Sequence, residues 1–331
     1  METKNKFEEM PKGDFHVDLA NPKLVEILGN PELSHAIKRA KQLTPEGLRK
    51  VDLIFASVYR RIDDAQKAIA TEGDPKKQES VLNDHHKIIE YYRNTKDFKI
   101  IEKPQDLGLP STDKTNIVLH LECGDIVTDP DIVEELFNRG VRSIGPMYNH
   151  DNHIGGGAKG DLNRGLSAAG KRIIDRMIQL GMIIDVAHAN RRTSADIIER
   201  ARDYQKVVAT HTGLGTPSRD MERFITPKLL QEIAKRGGVV GMVPAKPFFP
   251  KLEKDFADGM KKASDLTSSA DNLAIGSDFG GFDSKDLYEE MDEIGKLSKI
   301  AEILSEKGRF SDNEIAKIMF GNIERLVKSL R

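Results

Sequence analysis

The residues best suited to chemistry in this sequence are histidines and carboxylates that accompany short apolar runs. His16 and Asp18 lie two positions apart in GDFHVDL, so their side chains share one face of a predicted strand. An imidazole and a carboxylate both bind divalent ions of borderline softness, such as zinc. On its own, the pair fits either a metal site or a simple hydrogen bond between the two side chains.

Later apolar runs carry residues of the same types. These are Glu122 in NIVLHLE, His188 in MIIDVAH, His211 in VVATHT and Asp278 in LAIGSDF. A carboxylate that uses both oxygens can bridge two ions about 3.5 to 4 Å apart. Glu122 would then be shared, with the His16 and Asp18 pair on one ion and the two later histidines on the other. The alternative is a group of buried polar side chains that pair only with each other.

These residues need a scaffold that brings several strand ends together. Eight runs rich in Val and Ile alternate with helical patterns such as GKRIIDRMIQLG and PKLLQEIAKRG. The runs are GDFHVDL, VDLIFASVY, NIVLHLE, VRSIGPMY, MIIDVAH, VVATHT, GVVGMV and LAIGSDF. The alternation predicts an α/β fold, a (β/α)8 TIM barrel, as one domain over residues 1–331. The carboxyl ends of all its strands face one mouth.

Two connections are longer than the others. AQKAIATEGDPKKQESVLNDHHKIIEYYRN, between the second and third runs, predicts an outer helical pair with His85 and His86 on the surface. PAKPFFPKLEKDFADGMKKASDLTSSADN, before the last run, predicts an ordered loop near the rim of a pocket. His153 and the run 155–157 of three glycines resemble a phosphate-binding loop only loosely, because no Lys-Ser/Thr follows. We therefore expect a flexible loop over the mouth.

The composition and charge of the chain limit the classes of binding partner that we expect. The formal net charge is −2 and no basic stretch interleaves with aromatic residues, so nucleic acid and anionic lipid are not expected. A small neutral or zwitterionic substrate fits better. No apolar run approaches the length of a membrane span, and METKNKFEEMPKG lacks the features of a signal peptide, so we expect a cytoplasmic protein. A single cysteine, Cys123, excludes an internal disulfide framework.

The sequence resembles the membrane dipeptidase (renal dipeptidase) family, peptidase family M19, whose members are zinc hydrolases related to the amidohydrolases. The resemblance covers nearly the whole chain. It rests on FHVDL, LHLECGD, GLSAAGKRIIDRMIQLGMIIDVAHA, VVATHTGLGTPSRDMERFITPKLL, AIGSDFGGF and GNIERL. The long block that ends near His188 is the most specific, since it joins a turn, an amphipathic helix and a strand at fixed spacing.

The resemblance implies two Zn2+ ions per chain and a dipeptide as substrate. One zinc would be held by His16, Asp18 and Glu122, and the other by Glu122, His188 and His211. Asp278 would be the catalytic acid/base. Arg223 would bind the free carboxylate of the substrate, with Arg219 as the nearby rival. The implied activity is that of a zinc-dependent dipeptidase that cleaves the amide bond with a two-metal-activated water, in a possible homodimer.

The sequence departs from the family pattern near the fourth strand. GPMYNHDNH places Tyr148 where better-known members carry a histidine that polarises the scissile carbonyl. A tyrosine hydroxyl donates a hydrogen bond to a developing oxyanion but carries no positive charge. His150 is the rival for this role. Cys123 stands beside Glu122 where a glycine is common, and alternation along the strand predicts that its side chain packs on the opposite face.

Two other functions remain open on the sequence. The first is a related amidohydrolase acting on N-acyl amino acids or lactones, because the metal chemistry is shared and only the rim of the pocket decides the substrate. The second is a catalytically silent barrel that binds a ligand.

His120 shares the inward face with Glu122 and is expected to lie beneath the metals as a hydrogen-bonding partner.

Overall fold

The computed structural model of the protein describes residues 6–60, 75–108, 114–202, 204, 206–215, 223–306 and 309–331. Ten strands in these ranges form one sheet. They are β1 (Gly13–Val17), β2 (Leu53–Val58), β3 (Phe98–Ile100), β4 (Thr115–Leu121), β5 (Val141–Ile144), β6 (Ile183–Asp185), β7 (Val207–Leu214), β8 (Phe224–Ile225), β9 (Val240–Met242) and β10 (Leu273–Ile275).

Eight of these strands form a barrel. Their order is β1-β2-β4-β5-β6-β7-β9-β10, and every neighbouring pair is parallel. Residues just beyond β10 close the ring: Phe279 bridges Val17, and the Asp278 amide donates to the His16 carbonyl at 2.9 Å. β3 and β8 pair with β4 and β7 outside this ring. The predicted TIM barrel is confirmed, and its eight strands are the eight predicted runs.

The barrel strands are apolar because both of their faces are covered. Every residue of β2 and β4 is buried, as expected for a parallel sheet with side chains inside and helices outside. The helices of the described ranges are α1 (Leu24–Leu28), α2 (Pro45–Leu48), α3 (Pro75–Asn94), α4 (Pro130–Asn138), α5 (Ala168–Leu180), α6 (Arg191–Arg200), α7 (Pro227–Lys235), α8 (Ala257–Thr267), α9 (Ser298–Ser305), α10 (Asp312–Ala316) and α11 (Asn322–Val327). Within the described ranges, no helix has the length and apolar character needed to cross a membrane.

Side chains at the loop ends fix where the outer helices begin. Ser167, Asn190 and Thr226 precede α5, α6 and α7, and each side chain accepts a hydrogen bond from a backbone amide in the first turn. Such caps satisfy amide groups that have no partner inside the helix. The helices therefore start at set distances from the strand ends that carry the polar residues.

The prediction that His85 lies on the surface is wrong. It lies in α3 with a fully buried side chain, and its Nδ1 is 2.7 Å from the Val81 carbonyl oxygen. Ile88 and Tyr92 follow on the same buried face, three and seven positions later. His86 is partly exposed and its Nε2 lies 3.1 Å from Glu135. The first part of this connection, residues 61–74, lies outside the described residues.

The connection before β10 is ordered, as predicted. It contains a π-helical turn, Leu252–Phe256, that leads into α8, and it buries Phe248 and Phe249. Phe248 lines a cavity at the mouth of the barrel together with Pro247. The prediction of a rim element is confirmed.

Gly276 allows a close approach across the barrel. A Cβ at this position would lie 2.0 Å from the Thr210 carbonyl oxygen, so we expect Gly276→Ala to lower the free energy of unfolding by about 3 kcal/mol. Gly321→Ala is the control, since the nearest atom to its Cβ would be 3.7 Å away and its segment is helical. Urea denaturation measures both variants. Equal stability of the two would contradict the packing of β10 against Thr210.

Candidate active site

The eight site residues predicted from the sequence meet at one mouth of the barrel. Six of them lie at, or just beyond, the carboxyl end of a barrel strand, whereas His211 lies within β7 and Arg223 immediately precedes β8. The eight are His16, Asp18, Glu122, Tyr148, His188, His211, Arg223 and Asp278. The strand ends of a TIM barrel bring these residues together although up to 262 positions separate them along the chain.

Glu122 lies at the centre of the group. Its Oε2 is 3.8 Å from His16 Nε2, whereas its Oε1 is 3.3 Å from His188 Nε2 and 3.8 Å from His211 Nε2. Ser57 donates a hydrogen bond to Oε2 at 3.3 Å and helps to hold the carboxylate in place. One carboxylate therefore presents one oxygen to each of two histidine groups.

The surroundings of His16 fit a cation. Its Nε2 is 3.9 Å from Asp18 Oδ1 and 4.0 Å from Asp278 Oδ1, which is too far for hydrogen bonds. This buried nitrogen has no hydrogen-bond partner among the residues that the structure describes. Two donor atoms that each lie about 2.0–2.2 Å from one zinc ion are roughly 3–4 Å apart. The nitrogen and oxygen donors thus have the identity and spacing of a ligand set.

Burial dominates the electrostatics of the cluster. It raises the pKa of Glu122 and of Asp278 well above the ordinary range, and the nearby Asp18 carboxylate raises both further. Burial also lowers the pKa of His16, His188 and His211, and neighbouring cations add to the effect. Neutral imidazoles and crowded carboxylates are the groups that a divalent cation binds.

Hydrogen bonds behind the histidines set their orientation. His188 Nδ1 lies 3.0 Å from Asn149 Oδ1, which accepts its proton and leaves the Nε2 lone pair facing the cavity. His211 Nδ1 lies 2.9 Å from Thr210 Oγ1, and that hydroxyl donates to Asp185 Oδ2 at 2.6 Å. The sequence analysis did not single out Asn149, Thr210 or Asp185. Two of them lie within three positions of a predicted ligand in the same strand run, and that proximity was the available signal.

His120 lies beneath the cluster, where it was expected. Its Nδ1 is 2.8 Å from Ser143 Oγ, its Nε2 is 3.4 Å from Asp185 Oδ2, and its ring meets the His16 ring edge to face at 5.2 Å. Asp185 therefore contacts both the Thr210 hydroxyl and His120. It ties the supports of two histidines to one carboxylate.

Asp278 is held in an unfavourable backbone conformation. Its φ is 58°, in the left-handed region that residues other than glycine rarely adopt. The following loop is fixed from a distant part of the chain, the 3-10 helix Pro31–Gln42. Arg39 donates to the Gly280 carbonyl at 3.0 Å, and Gln42 accepts from the Gly280 amide at 2.8 Å. These contacts hold the Asp278 carboxylate near His16.

A cavity of about 270 Å3 opens above the cluster. Tyr59 and Tyr148 form part of one wall, and Phe224, Phe248 and Phe282 form an aromatic wall. The Phe224 and Phe248 rings stack at 5.6 Å between centroids. The cavity thus combines a polar floor with apolar sides, as small-molecule sites commonly do.

Arg223 faces this cavity with its guanidinium already positioned. It donates to the Ala187 and His211 carbonyls, the latter at 3.4 Å, and its Nη2 lies 3.1 Å from His188 Nε2. The rival Arg219 lies outside the described residues. Backbone acceptors that hold the guanidinium from behind reduce the entropy that it loses when it binds an anion.

Tyr148 lines the cavity beside His188. Their rings stack with centroids 4.5 Å apart, and burial raises the pKa of the Tyr148 hydroxyl above its ordinary value, so the phenol keeps its proton. The rival His150 is exposed and is not among the residues that line the cavity. Of the two rivals, Tyr148 is therefore the one that borders the cavity.

The glycine run after Tyr148 is packed, which corrects the expectation of a flexible loop. Gly155, Gly156 and Gly157 are all buried. A Cβ on Gly156 would lie 2.2 Å from Asn190 Nδ2. The run has glycines because other parts of the chain approach its backbone closely. Cys123 is also buried, as predicted for a packing residue.

A TIM barrel with nitrogen and oxygen donors gathered at its catalytic mouth defines the class of metal-dependent hydrolases. The sequence model described as membrane dipeptidase, peptidase family M19, matches residues 7–331. The chain belongs to this family. The family resemblance inferred from the sequence motifs is confirmed.

Individual relatives are more distant. An uncharacterised protein from Acinetobacter calcoaceticus is 30% identical over 167 residues, which are 47% of this chain and 50% of that protein. An uncharacterised dipeptidase of Schizosaccharomyces pombe is 28% identical over 213 residues, 62% of this chain and 50% of the relative. The matches therefore span half the length of these two relatives. A metallopeptidase from Rhodobacter sphaeroides has been solved with a phosphinate mimic of the dipeptide L-Ala-D-Ala. Its structure aligns with a TM-score of 0.76 at 19% sequence identity, and the alignment covers 97% of this chain and 99% of that chain. This likeness shows the fold.

Proposed function

We propose that the protein is a zinc-dependent dipeptidase that hydrolyses the amide bond of dipeptides. The observation that carries this proposal is the placement of Glu122, which turns one oxygen to His16 and the other to His188 and His211 on the floor of a cavity. Membership of the membrane dipeptidase family supports the substrate class.

The donor set would hold two zinc ions. His16, Asp18 and Glu122 would bind one of them. Glu122, His188 and His211 would bind the other. When bound, such ions lower the pKa of a water molecule and polarise a carbonyl oxygen. The chain supplies the orientation of two of the ligands, through the hydrogen bonds that His188 Nδ1 and His211 Nδ1 make with Asn149 and Thr210.

Asp278 is the acid/base in this proposal. Its Oδ1 lies 4.0 Å from His16 Nε2 and its side chain borders the cavity, so it reaches both the floor and a bound substrate. A carboxylate there takes a proton from the attacking water and returns it to the leaving amine. The strained backbone at Asp278 supports the assignment, since such strain persists where the surrounding structure enforces a functional geometry.

Arg223 and Tyr148 bind the substrate in this proposal. The Arg223 guanidinium pairs with the free carboxylate of the dipeptide. The Tyr148 hydroxyl donates to the carbonyl oxygen as negative charge develops there. The dipeptide mimic bound by the structurally similar Rhodobacter sphaeroides enzyme is a ligand of the size and charge that this arrangement suits.

We expect the zinc-loaded protein to hydrolyse a panel of L,L and L,D dipeptides faster than N-acyl amino acids or lactones. Asp278→Asn should reduce the turnover of dipeptides by at least about a hundredfold with little change in bound metal, because an amide cannot accept the proton. Asp286→Asn, in the same loop but outside the cavity, is the control and should stay active. Ninhydrin or coupled amino-acid assays measure the rates. Faster hydrolysis of lactones than of every dipeptide would refute the proposal.

Arg223→Ala should discriminate between free and amidated substrates. Loss of a charge-assisted contact worth about 1.5–3 kcal/mol should lower kcat/KM for free dipeptides by roughly ten- to a hundredfold, while C-terminally amidated dipeptides lose little. Arg236→Ala, at the end of α7 where the side chain pairs with Glu232, is the matched control. Equal losses on both substrate types would show that Arg223 supports the metal site and does not bind the carboxylate.

A further inference from the structure

One basic residue on the wall of the cavity has no role in the proposed reaction. Among the described residues, the carboxylates and the lysine and arginine side chains that border the cavity are Asp18, Glu122, Asp278, Arg39, Lys159 and Arg223. The carboxylates are assigned to the metals and to proton transfer, and Arg223 to the free carboxylate of the substrate. Arg39 is already paired with Asp283 at 3.1 Å. Lys159 is therefore the cation that remains.

Lys159 offers its charge to the cavity from a fixed backbone. Its side chain is exposed, and its ammonium group forms no hydrogen bond or ion pair with any other residue that the structure describes. The Lys159 amide donates to the Asn149 carbonyl at 2.6 Å, and the amide of Ala158 donates to the His188 carbonyl at 2.8 Å. A cation held in this way at the wall of a cavity attracts an anion that enters it.

Lys159 and Arg223 reach the cavity on the same side. Lys159 lies in the connection that follows β5, and Arg223 lies in the connection that follows β7. These two strands are the neighbours of β6 in the barrel, and His188 lies just beyond β6. His188 contacts both connections, through its carbonyl to Ala158 and through its Nε2, 3.1 Å from Arg223 Nη2. The two cations thus border the part of the cavity next to His188.

We propose that Lys159 and Arg223 form a two-cation site for the C-terminal residue of the substrate, so that the preferred dipeptides end in Asp or Glu. Arg223 binds the α-carboxylate, and Lys159 binds the side-chain carboxylate of the same residue. This inference rests on the proposed function and narrows its substrate class.

The charges of the cavity favour an acidic substrate over a neutral one. The three carboxylates and three cations of its wall and floor cancel, so two bound divalent ions would make the cavity positive. A neutral dipeptide supplies one carboxylate, which Arg223 takes, and leaves Lys159 without a counter-ion. An acidic second residue supplies an anion for each cation and adds a charge-assisted contact.

The test compares substrates that differ only in charge, namely L-Ala-Glu with L-Ala-Gln and L-Ala-Asp with L-Ala-Asn, each with an L or a D second residue. For the native zinc-loaded protein, kcat/KM should be about fivefold higher for the acidic member, which is the upper end of what an exposed ion pair contributes. Lys159→Gln should bring this ratio close to one. Lys159→Glu should reverse it, because the introduced carboxylate repels the acidic side chain.

Lys171→Gln is the matched control. Lys171 is an exposed lysine of α5 that does not border the cavity, so its loss should leave the ratio at the native value. Melting temperature and bound zinc, measured for each variant, show whether the fold and the metal site are intact. A change in the ratio between acidic and amide substrates separates charge recognition from a purely structural effect, which would lower both rates alike.

Two results would overturn the inference. In the first, the native protein hydrolyses the acidic and the amide member of each pair equally well. In the second, Lys159→Gln keeps the native preference, which would mean that another group recognises the acidic side chain. If the native zinc-loaded protein hydrolyses no dipeptide at all, the proposed function fails first. Hydrolysis of the amide substrates together with either result above removes only the two-cation site.

Discussion

The shared carboxylate of Glu122 is the constraint on which the rest of the site depends. Its two oxygens face different histidine groups, so both halves of the cluster must be positioned relative to one side chain. Burial makes this arrangement costly, since carboxylates that are crowded together resist ionisation and buried imidazoles resist protonation. Divalent cations bound between the groups would offset that cost. We therefore regard the cluster as a site whose charge balance is completed by metal.

The barrel positions the site residues in two ways, through the ends of its strands and through loops that distant parts of the chain hold in place. Strand geometry positions the backbone of His16 and Glu122, because both lie in or directly after paired strands. Asp278 lies beyond its strand and depends on Arg39 and Gln42, which hold the neighbouring Gly280 by its carbonyl and amide groups. The strain at Asp278 is thus maintained by contacts from a segment more than 230 positions away.

The sequence predicts the scaffold well because its signal is local. Parallel barrel strands are buried on both faces, so each of the eight strands appears as an apolar run, and the strand-end rule then places residues such as His188 at the mouth. Contacts between distant segments leave no comparable signal. The pairing of Arg39 with Gly280 and the stacking of Tyr59 on Tyr148 required the structure. His85 was wrongly placed on the surface because a charged helix hides which of its faces is buried.

Metal analysis of the purified protein and of Glu122→Gln tests the central claim most directly. After equilibration with limiting zinc and removal of free ions, we expect about two zinc ions per native chain. Glu122→Gln keeps the shape of the side chain but removes the shared charge, so it should weaken the binding of both ions together. One tightly bound ion in the native protein, or two ions retained with native affinity by Glu122→Gln, would contradict the account of a shared carboxylate.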